Sequence, residues 1–371
     1  MGGNLMSTIL TLDELLSLVH EHIGVCLSMY MPTHWKGPET QQNQIRFKNL
    51  FREAEKQLAQ RDLRPSEIKE FLSPAQELMS DELFWRNQHK GFALFLSPDT
   101  FRTYKSPEPF PELVVLSERF HLKPLIEIMS RDVTFLILAV SLRKIRLFEC
   151  NRWNKKEISL PGVPQSLPEA LDIDDFEKKL QLHTGAEDTK LLASRFFQQV
   201  DRGLQEFLRD KHDPLIFAGV EYLFPIYREA NTYPHLLPTP ITGNPDSIGI
   251  DELHDLALPI VDGLIKEKLE EALSLYRERE GTGLASRDIR EIVQAAHHGR
   301  VGILFVAQGV QEWGIYERDS GKVHPAEKGQ PASEDLLDLA AIATLSHGGT
   351  VHVLDPDTMP GGGNIAAIFR Y

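Results

Sequence analysis

Between residues 143 and 156 the chain gathers side chains suited to holding phosphate: Arg143, Lys144, Arg146, Arg152, Lys155 and Lys156. Trp153 lies among them, and only Glu149 and Glu157 oppose them. Guanidinium and ammonium groups bind phosphate oxygens, and an indole face stacks on an unpaired base, so the pattern fits a nucleic-acid backbone. The competing reading is a solvated hairpin whose charges keep its edge from pairing with another edge. A second cationic set, Arg46, Lys48, Arg52 and Lys56, lies on one expected helix. Glu53 and Glu55 interrupt it, and Arg52 and Lys56 repel at i, i+4. For Arg46 and Lys48, RNA contact therefore competes with a plain solvent-facing helix side.

No enzyme constellation accompanies these cations. His297 and His298 are neighbours that point to different faces of a helix, and His347 and His352 flank a strand start. No His-x-x-x-His pair has a third acid nearby, so no metal site is expected. Gly361-Gly-Gly363 lacks the Lys and Ser/Thr of a phosphate loop and reads as a bend into the last strand. There is no Gly-x-Ser-x-Gly and no Cys–His arrangement. No catalytic residue and no cofactor is therefore assigned. Cys26 and Cys150 sit alone in apolar stretches, as buried thiols of a reducing cytoplasm do, with no disulfide frame.

The chain has 371 residues, 42% hydrophobic and 25% charged, too many for one ordinary core. Its longest apolar run, Phe135 to Val140, is too short to span a bilayer. There is no charged-then-apolar leader, and Met6 stands where a myristoylation signal beginning at Gly2 wants Ser or Thr. A cytoplasmic protein without membrane contact is expected. Net charge is −14, against tight non-specific nucleic-acid binding. Residues 251–371 hold 20 acidic and 11 basic side chains, which suits contact with a basic protein surface.

Hydrophobic period sets the elements. Thr11 to His22 reads as a short helix, Val25 to Met31 as a strand stopped by Pro32, and Asn43 to Gln60 as an amphipathic helix burying Ile45, Leu50, Ala54 and Leu58. Pro65 to Ser80 is a helix; Gly91 to Leu96 and Leu113 to Leu116 are strands. Val133 to Ser141, Lys144 to Cys150 and Lys156 to Leu160 form a three-strand meander. Thr189 to Arg209 is a long helix with Leu192, Phe196, Val200 and Leu204 inward, and Leu215 to Val220 a strand. Four prolines make 231–249 a connector. Asp251 to Glu280 is a long helix, and Ser286 caps another ending near His297. Val301 to Val306 and Val310 to Tyr316 are strands. Ser333 caps a helix through Ser346, with Glu334 and Asp335 in its first turn. Thr350 to Leu354 and Ile365 to Tyr371 form a closing hairpin. The modules run 1–120, 121–250 and 251–371: a smaller α/β N-terminal module, an α/β middle module and a C-terminal α/β sandwich.

Gly361-Gly-Gly-Asn-Ile-Ala-Ala-Ile-Phe-Arg-Tyr371 is similar to the glycine-then-apolar strand that ends the third domain of archaeo-eukaryotic release factors and Pelota. Tyr30-Met-Pro-Thr33, Arg46-Phe-Lys-Asn-Leu50 and Phe120-His-Leu-Lys-Pro124 resemble the bacterial branch of that superfamily, over nearly the whole chain. The resemblance implies an α/β multi-domain protein with an RNase H-like middle domain and a C-terminal domain like kink-turn-binding ribosomal proteins. It implies a partner in the ribosome or tRNA, perceived through the ribbon at 143–156, and a setting in ribosome rescue or stress response. The departures imply no hydrolysis. Gly-Gly-Gln is absent, and its nearest counterparts are Gly162-Val-Pro-Gln165 and Gly329-Gln330. Asn43-Gln-Ile-Arg46 is only a loose counterpart of the decoding Asn-Ile-Lys-Ser. An RNase H-type nuclease clusters carboxylates on adjacent strands to hold divalent metal. The first middle strand has none and the second only Glu149. Two other functions remain as alternatives: a hydrolase of peptidyl-tRNA or RNA using Gln165 or Glu149, and an interaction scaffold without RNA binding.

Overall fold

The computed structural model describes residues 12–20, 24–61, 63–170, 186–330 and 332–371. The Met1-Gly2 signal, Met6 and the outer turns of the first helix lie outside them. In chain order the elements are α1 (Leu12–His20), β1 (Cys26–Pro32), α2 (Thr40–Ala59), α3 (Pro65–Leu78), α4 (Glu82–Arg86), β2 (Gly91–Leu96), β3 (Phe101–Ser106), β4 (Leu113–Ser117) and α5 (Lys123–Arg131). Then come β5 (Phe135–Val140), β6 (Ile145–Cys150), β7 (Lys155–Ile158), α6 (Leu167–Ala170), α7 (Ala186–Leu208), β8 (Leu215–Gly219), α8 (Leu223–Ala230), β9 (Ile241–Thr242) and α9 (Ile250–Arg279). The chain closes with β10 (Ala285–Ser286), α10 (Ile289–His297), β11 (Val301–Ala307), β12 (Trp313–Glu317), β13 (Lys322–Pro325), β14 (Glu334–Asp335), α11 (Leu336–Ser346), β15 (Thr350–Leu354) and β16 (Ile365–Phe369). The architecture is α/β with several sheets, divided into two units: residues up to Ser130 with Leu269–Tyr371, and Arg131–Lys268.

In the first unit, β3-β2-β1-β4 form an antiparallel sheet. Alternation along β1 sends Leu27, Met29 and Met31 to a core with Phe47, Leu50, Phe51 and Trp85. It sends Cys26 and Tyr30 to the opposite core, shared with Leu336, Leu337 and Ala340 of α11. A strand buried on both faces reads as a continuous apolar run, as β1 does. Ile45, expected on the buried stripe of α2, is 61% exposed; Asn43 and Phe47 take that face. The second sheet runs β10-β16-β11-β15. The expected closing hairpin does not form: β15 lies parallel to β11 on one side, and β16 lies antiparallel to it on the other. The intervening loop carries the chain past the end of β11, with Gly361 and Gly362 at φ +74° and +69°, where a side chain would be strained.

A buried charge cluster sits where these two sheets share their core. Asp338 Oδ1 accepts from the backbone N–H of Leu122 (2.7 Å) and Lys123 (2.5 Å). Lys123 Nζ donates to Asp335 Oδ2 at 2.8 Å and to the Val310 carbonyl. His121 Nδ1 lies 3.7 Å from Asp338 and 3.9 Å from Asp335. Burial pushes the Asp338 carboxyl above its ordinary value despite the cations beside it. Asp335, and not Ser333, caps α11, its Oδ1 accepting from Leu337 N–H at 3.1 Å. Glu334 and Asp335 are strand residues paired with Gly314 and Trp313. Asp288 likewise replaces Ser286 as the cap of α10. In both cases a carboxylate competes successfully with a nearby hydroxyl for the orphan N–H groups.

In the second unit the order is β7-β6-β5-β8-β9, with β5, β6 and β7 an antiparallel meander and β8 and β9 parallel to β5. Leu136, Leu138 and Val140 of β5 face Phe196, Phe197, Val200 and Leu204 of α7. Phe135, Ile137 and Ala139 face Leu253, Ala257 and Val261 of α9. Residues 251–268, expected with the third module, thus pack on this sheet. The connector 231–249 contributes the two-residue strand β9 to its edge.

Candidate nucleic-acid interface

The cationic ribbon occupies β6, β7 and their turns, and the pleat divides it. Ala139 stands opposite Arg146, and Cys150 opposite Lys155. Arg146, Phe148, Cys150 and Lys155 therefore share the face toward α9. Glu149 and Lys156 are paired on the other face. Arg143 and Lys144 are exposed at the β5–β6 turn, whose N–H groups donate to Ser141 Oγ. Trp153 is half-buried in the β6–β7 turn, where Asn151 Oδ1 accepts from the N–H of Trp153 (3.0 Å) and Asn154 (2.7 Å).

Part of the ribbon's charge is spent within the unit. Arg146 donates to the backbone carbonyls of Pro245 and Ile248 and lies over the Phe148 ring, 5.3 Å from its centroid. Arg152 pairs with Asp262 and donates to the Arg131 carbonyl. Lys155 pairs with Asp251. These contacts fasten the first half of α9 and the connector to the sheet, and the hydrogen bond with Lys155 holds the Asp251 carboxyl below its ordinary value. Glu149 pairs with Lys211. Arg143, Lys144 and Lys156 are exposed.

The Gly162–Gln165 segment is tied back onto the sheet and its own loop. Gln165 Nε2 donates to the Val163 carbonyl (3.0 Å), its N–H to Glu169 Oε2 (2.8 Å), and its carbonyl accepts from Ile145 N–H (2.9 Å). Gln165 is exposed, and its backbone carbonyl braces the start of β6. Among the described residues no three His, Cys, Asp or Glu side chains converge on a metal position. No helix among them is long and apolar enough to cross a membrane.

The cations of α2 also part. Arg46 pairs with Glu112 at 3.3 Å and donates to the Pro32 carbonyl, whereas Lys48 points to solvent. Asn43 is fully buried, holding the His34 backbone at both N–H (2.9 Å) and carbonyl (2.8 Å), so it cannot read an external base. Two groupings escaped the sequence: the buried cluster around Lys123 and Asp335, joined across more than 200 positions, and Trp35, exposed beside Lys36. The signal for Trp35 was a lone aromatic between His and Lys, followed by Gly37-Pro38.

Residues 134–300 match the model of bacterial archaeo-eukaryotic release factor family 3. Over that segment the match bears out the resemblance to the bacterial branch of that superfamily. No curated protein matches the chain significantly. Among solved structures, the chain is similar to the archaeal translation termination factor aRF1, 16% identical over 97% of each chain with a TM-score of 0.24. It is similar to Archaeoglobus fulgidus Pelota, 13% identical over 98% of this chain and 93% of that one, TM-score 0.32. It is also similar to archaeal Pelota in a model of its ribosome-bound form with ABCE1, 14% identical over 98% and 95%, TM-score 0.41.

Proposed function

We propose that this chain is a translation-associated factor that binds the ribosome or tRNA without hydrolysing an ester. The match of residues 134–300 to a release-factor family carries the reading. Two observations on this chain support its non-hydrolytic half: no Gly-Gly-Gln occurs in the sequence, and Gln165 is bonded into its own loop. Within the reading, Arg143 and Lys144 at the β5–β6 turn, with Lys156, meet phosphate. Arg146, Arg152 and Lys155 hold the unit together. The acid-rich 251–371 segment then meets a basic protein surface.

Co-sedimentation with purified ribosomes over a salt series tests this. The Arg143→Glu/Lys144→Glu variant should bind more weakly and lower the slope of log K against log salt by about 2, one phosphate contact per residue. Arg152→Ala/Lys155→Ala should keep that slope. Binding by the wild type that is absent, or indifferent to the turn variant, refutes the assignment. Release of peptide from peptidyl-tRNA by the pure protein, lost in Gln165→Ala, would replace it with the hydrolase alternative.

A further inference from the structure

Trp35 exposes 50% of its surface, unlike Trp85, which is 2% exposed in the core of the same sheet. Its exposure does not come from a loose loop. Thr33 N–H donates to the Lys90 carbonyl at 2.7 Å, and Thr33 Oγ1 to the His89 carbonyl at 2.8 Å. The buried Asn43 side chain grips His34 on both sides of its backbone, as described above. Four hydrogen bonds on the two preceding residues thus fix where the indole stands. Burying such a ring would gain apolar area, yet the fold holds it out, and a Trp presented on a pinned turn is arranged for a partner.

The surroundings identify that partner's chemistry. Trp35, His89, Lys90 and Pro107 line a recess of about 240 Å³. None of the four is acidic, in a chain of net charge −14. Lys36 Nζ lies over the indole, 4.1 Å from its centroid, and Lys105 anchors nearby to the Asn87 carbonyl. Burial and the Lys105 charge lower the His89 pKa, which keeps its imidazole neutral at neutral pH. A flat apolar ring, a recess open to one planar group and two exposed lysines beside it match a nucleobase with its flanking phosphates. We infer that Trp35, with Lys36 and Lys90, forms a stacking site for one unpaired base of single-stranded RNA. This rests on the RNA-facing reading above only for the choice of ligand. It concerns the other unit of the chain and needs no ribosome.

The test uses the full chain and short RNA oligomers, U6 and A6, with a blunt RNA duplex of equal charge as the control. A background in which Trp153 and Trp313 are phenylalanine leaves Trp35 as the exposed indole, since Trp85 is buried. Single strands should quench its emission and the duplex should not. Trp35→Ala should weaken binding about tenfold and Trp35→Phe less, because one base–aromatic stack is lost or reduced. Lys36→Glu/Lys90→Glu should lower the salt slope by about 1.4. Equal binding of duplex and single strand, quenching without dependence on Trp35, or no binding at low salt each overturns the inference. So does tighter binding of a proline-rich peptide than of RNA at the same ring. Quenching by oligomers with no ribosome co-sedimentation sinks the ribosome reading alone; the reverse sinks the stacking site alone.

Discussion

Replacing Asp335 by Ala should be among the most damaging single changes in the first unit. Its side chain is fully buried and does three things at once. Oδ2 accepts from Lys123 Nζ at 2.8 Å, while Oδ1 caps α11 through Leu337 N–H and accepts from Glu312 N–H, both at 3.1 Å. Loss of the cap costs about 1 kcal/mol. Leaving the Lys123 ammonium buried without its carboxylate costs about 3–5 kcal/mol. Together these reach about 4–6 kcal/mol, a large share of the roughly 5–15 kcal/mol that holds a domain folded. Urea unfolding followed by tryptophan emission measures it, in a Trp153→Phe background so that every remaining tryptophan lies in the first unit. The double variant Asp335→Ala/Lys123→Met removes the stranded charge and should be no less stable than Asp335→Ala alone, giving a coupling energy above about 1 kcal/mol. Arg86→Ala, which breaks a pair whose partners are 71% and 73% exposed, should change stability by under about 1 kcal/mol. A loss below about 1 kcal/mol for Asp335→Ala, or strict additivity with Lys123→Met, refutes the clamp.

Two further outcomes follow from the buried groups. Because burial raises the folded-state pKa of Asp338, the folded chain holds that proton more tightly than the unfolded chain. Its contribution is present below the ordinary value of 3.8 and is lost as pH rises through the folded value. Asp338→Asn keeps an acceptor for the two N–H groups, so its stability relative to wild type should grow from about pH 4 upward; urea midpoints that show the gap shrinking would contradict this. Burial pushes the Cys26 thiol up to about 12 and the Cys150 thiol up to about 11, so both should resist iodoacetamide at pH 8 in the native chain and react in urea. Mass spectrometry showing fast native alkylation at either would place that thiol on the surface.

The elements that follow from local pattern were readable. β2 and β15 begin and end where their apolar content and flanking Gly or Asp place them, and α10 stops at His297 before Gly299. β5, six apolar residues in a row, is the central strand of its sheet and is buried on both faces. What failed was non-local. β3, Phe-Arg-Thr-Tyr-Lys-Ser, carries too many polar residues to announce itself, because only Thr103, Tyr104 and Ser106 are buried along it. The closing hairpin failed because nothing in 350–371 says that β11 will insert between its strands. Ile45 fits a helical stripe as well as Phe47 does; the larger ring wins because Trp85 and Phe92 stand 5.0 and 6.1 Å from its centroid.

The ribbon shows where site reasoning from sequence stops. Clustering in sequence is not clustering in space when the chain is a strand, because neighbours point to opposite faces. Lys155 and Lys156 could have been separated on that ground alone. The loss of Arg152 and Lys155 to ion pairs could not, since their partners Asp262 and Asp251 lie about a hundred positions away. Those two acids belong to the surplus in 251–371 that suggested a basic protein partner, so part of that surplus is answered within the chain. For the RNA contact proposed above, the turns of each unit are therefore the surfaces to test. There, exposed cations coincide with segments fixed by side-chain hydrogen bonds: Ser141 accepts from Arg143 and Lys144 N–H, and Asn43 holds the His34 backbone just before Trp35 and Lys36. A turn already ordered loses little entropy on binding, and that favours it over a cationic strand whose charges brace its own sheet.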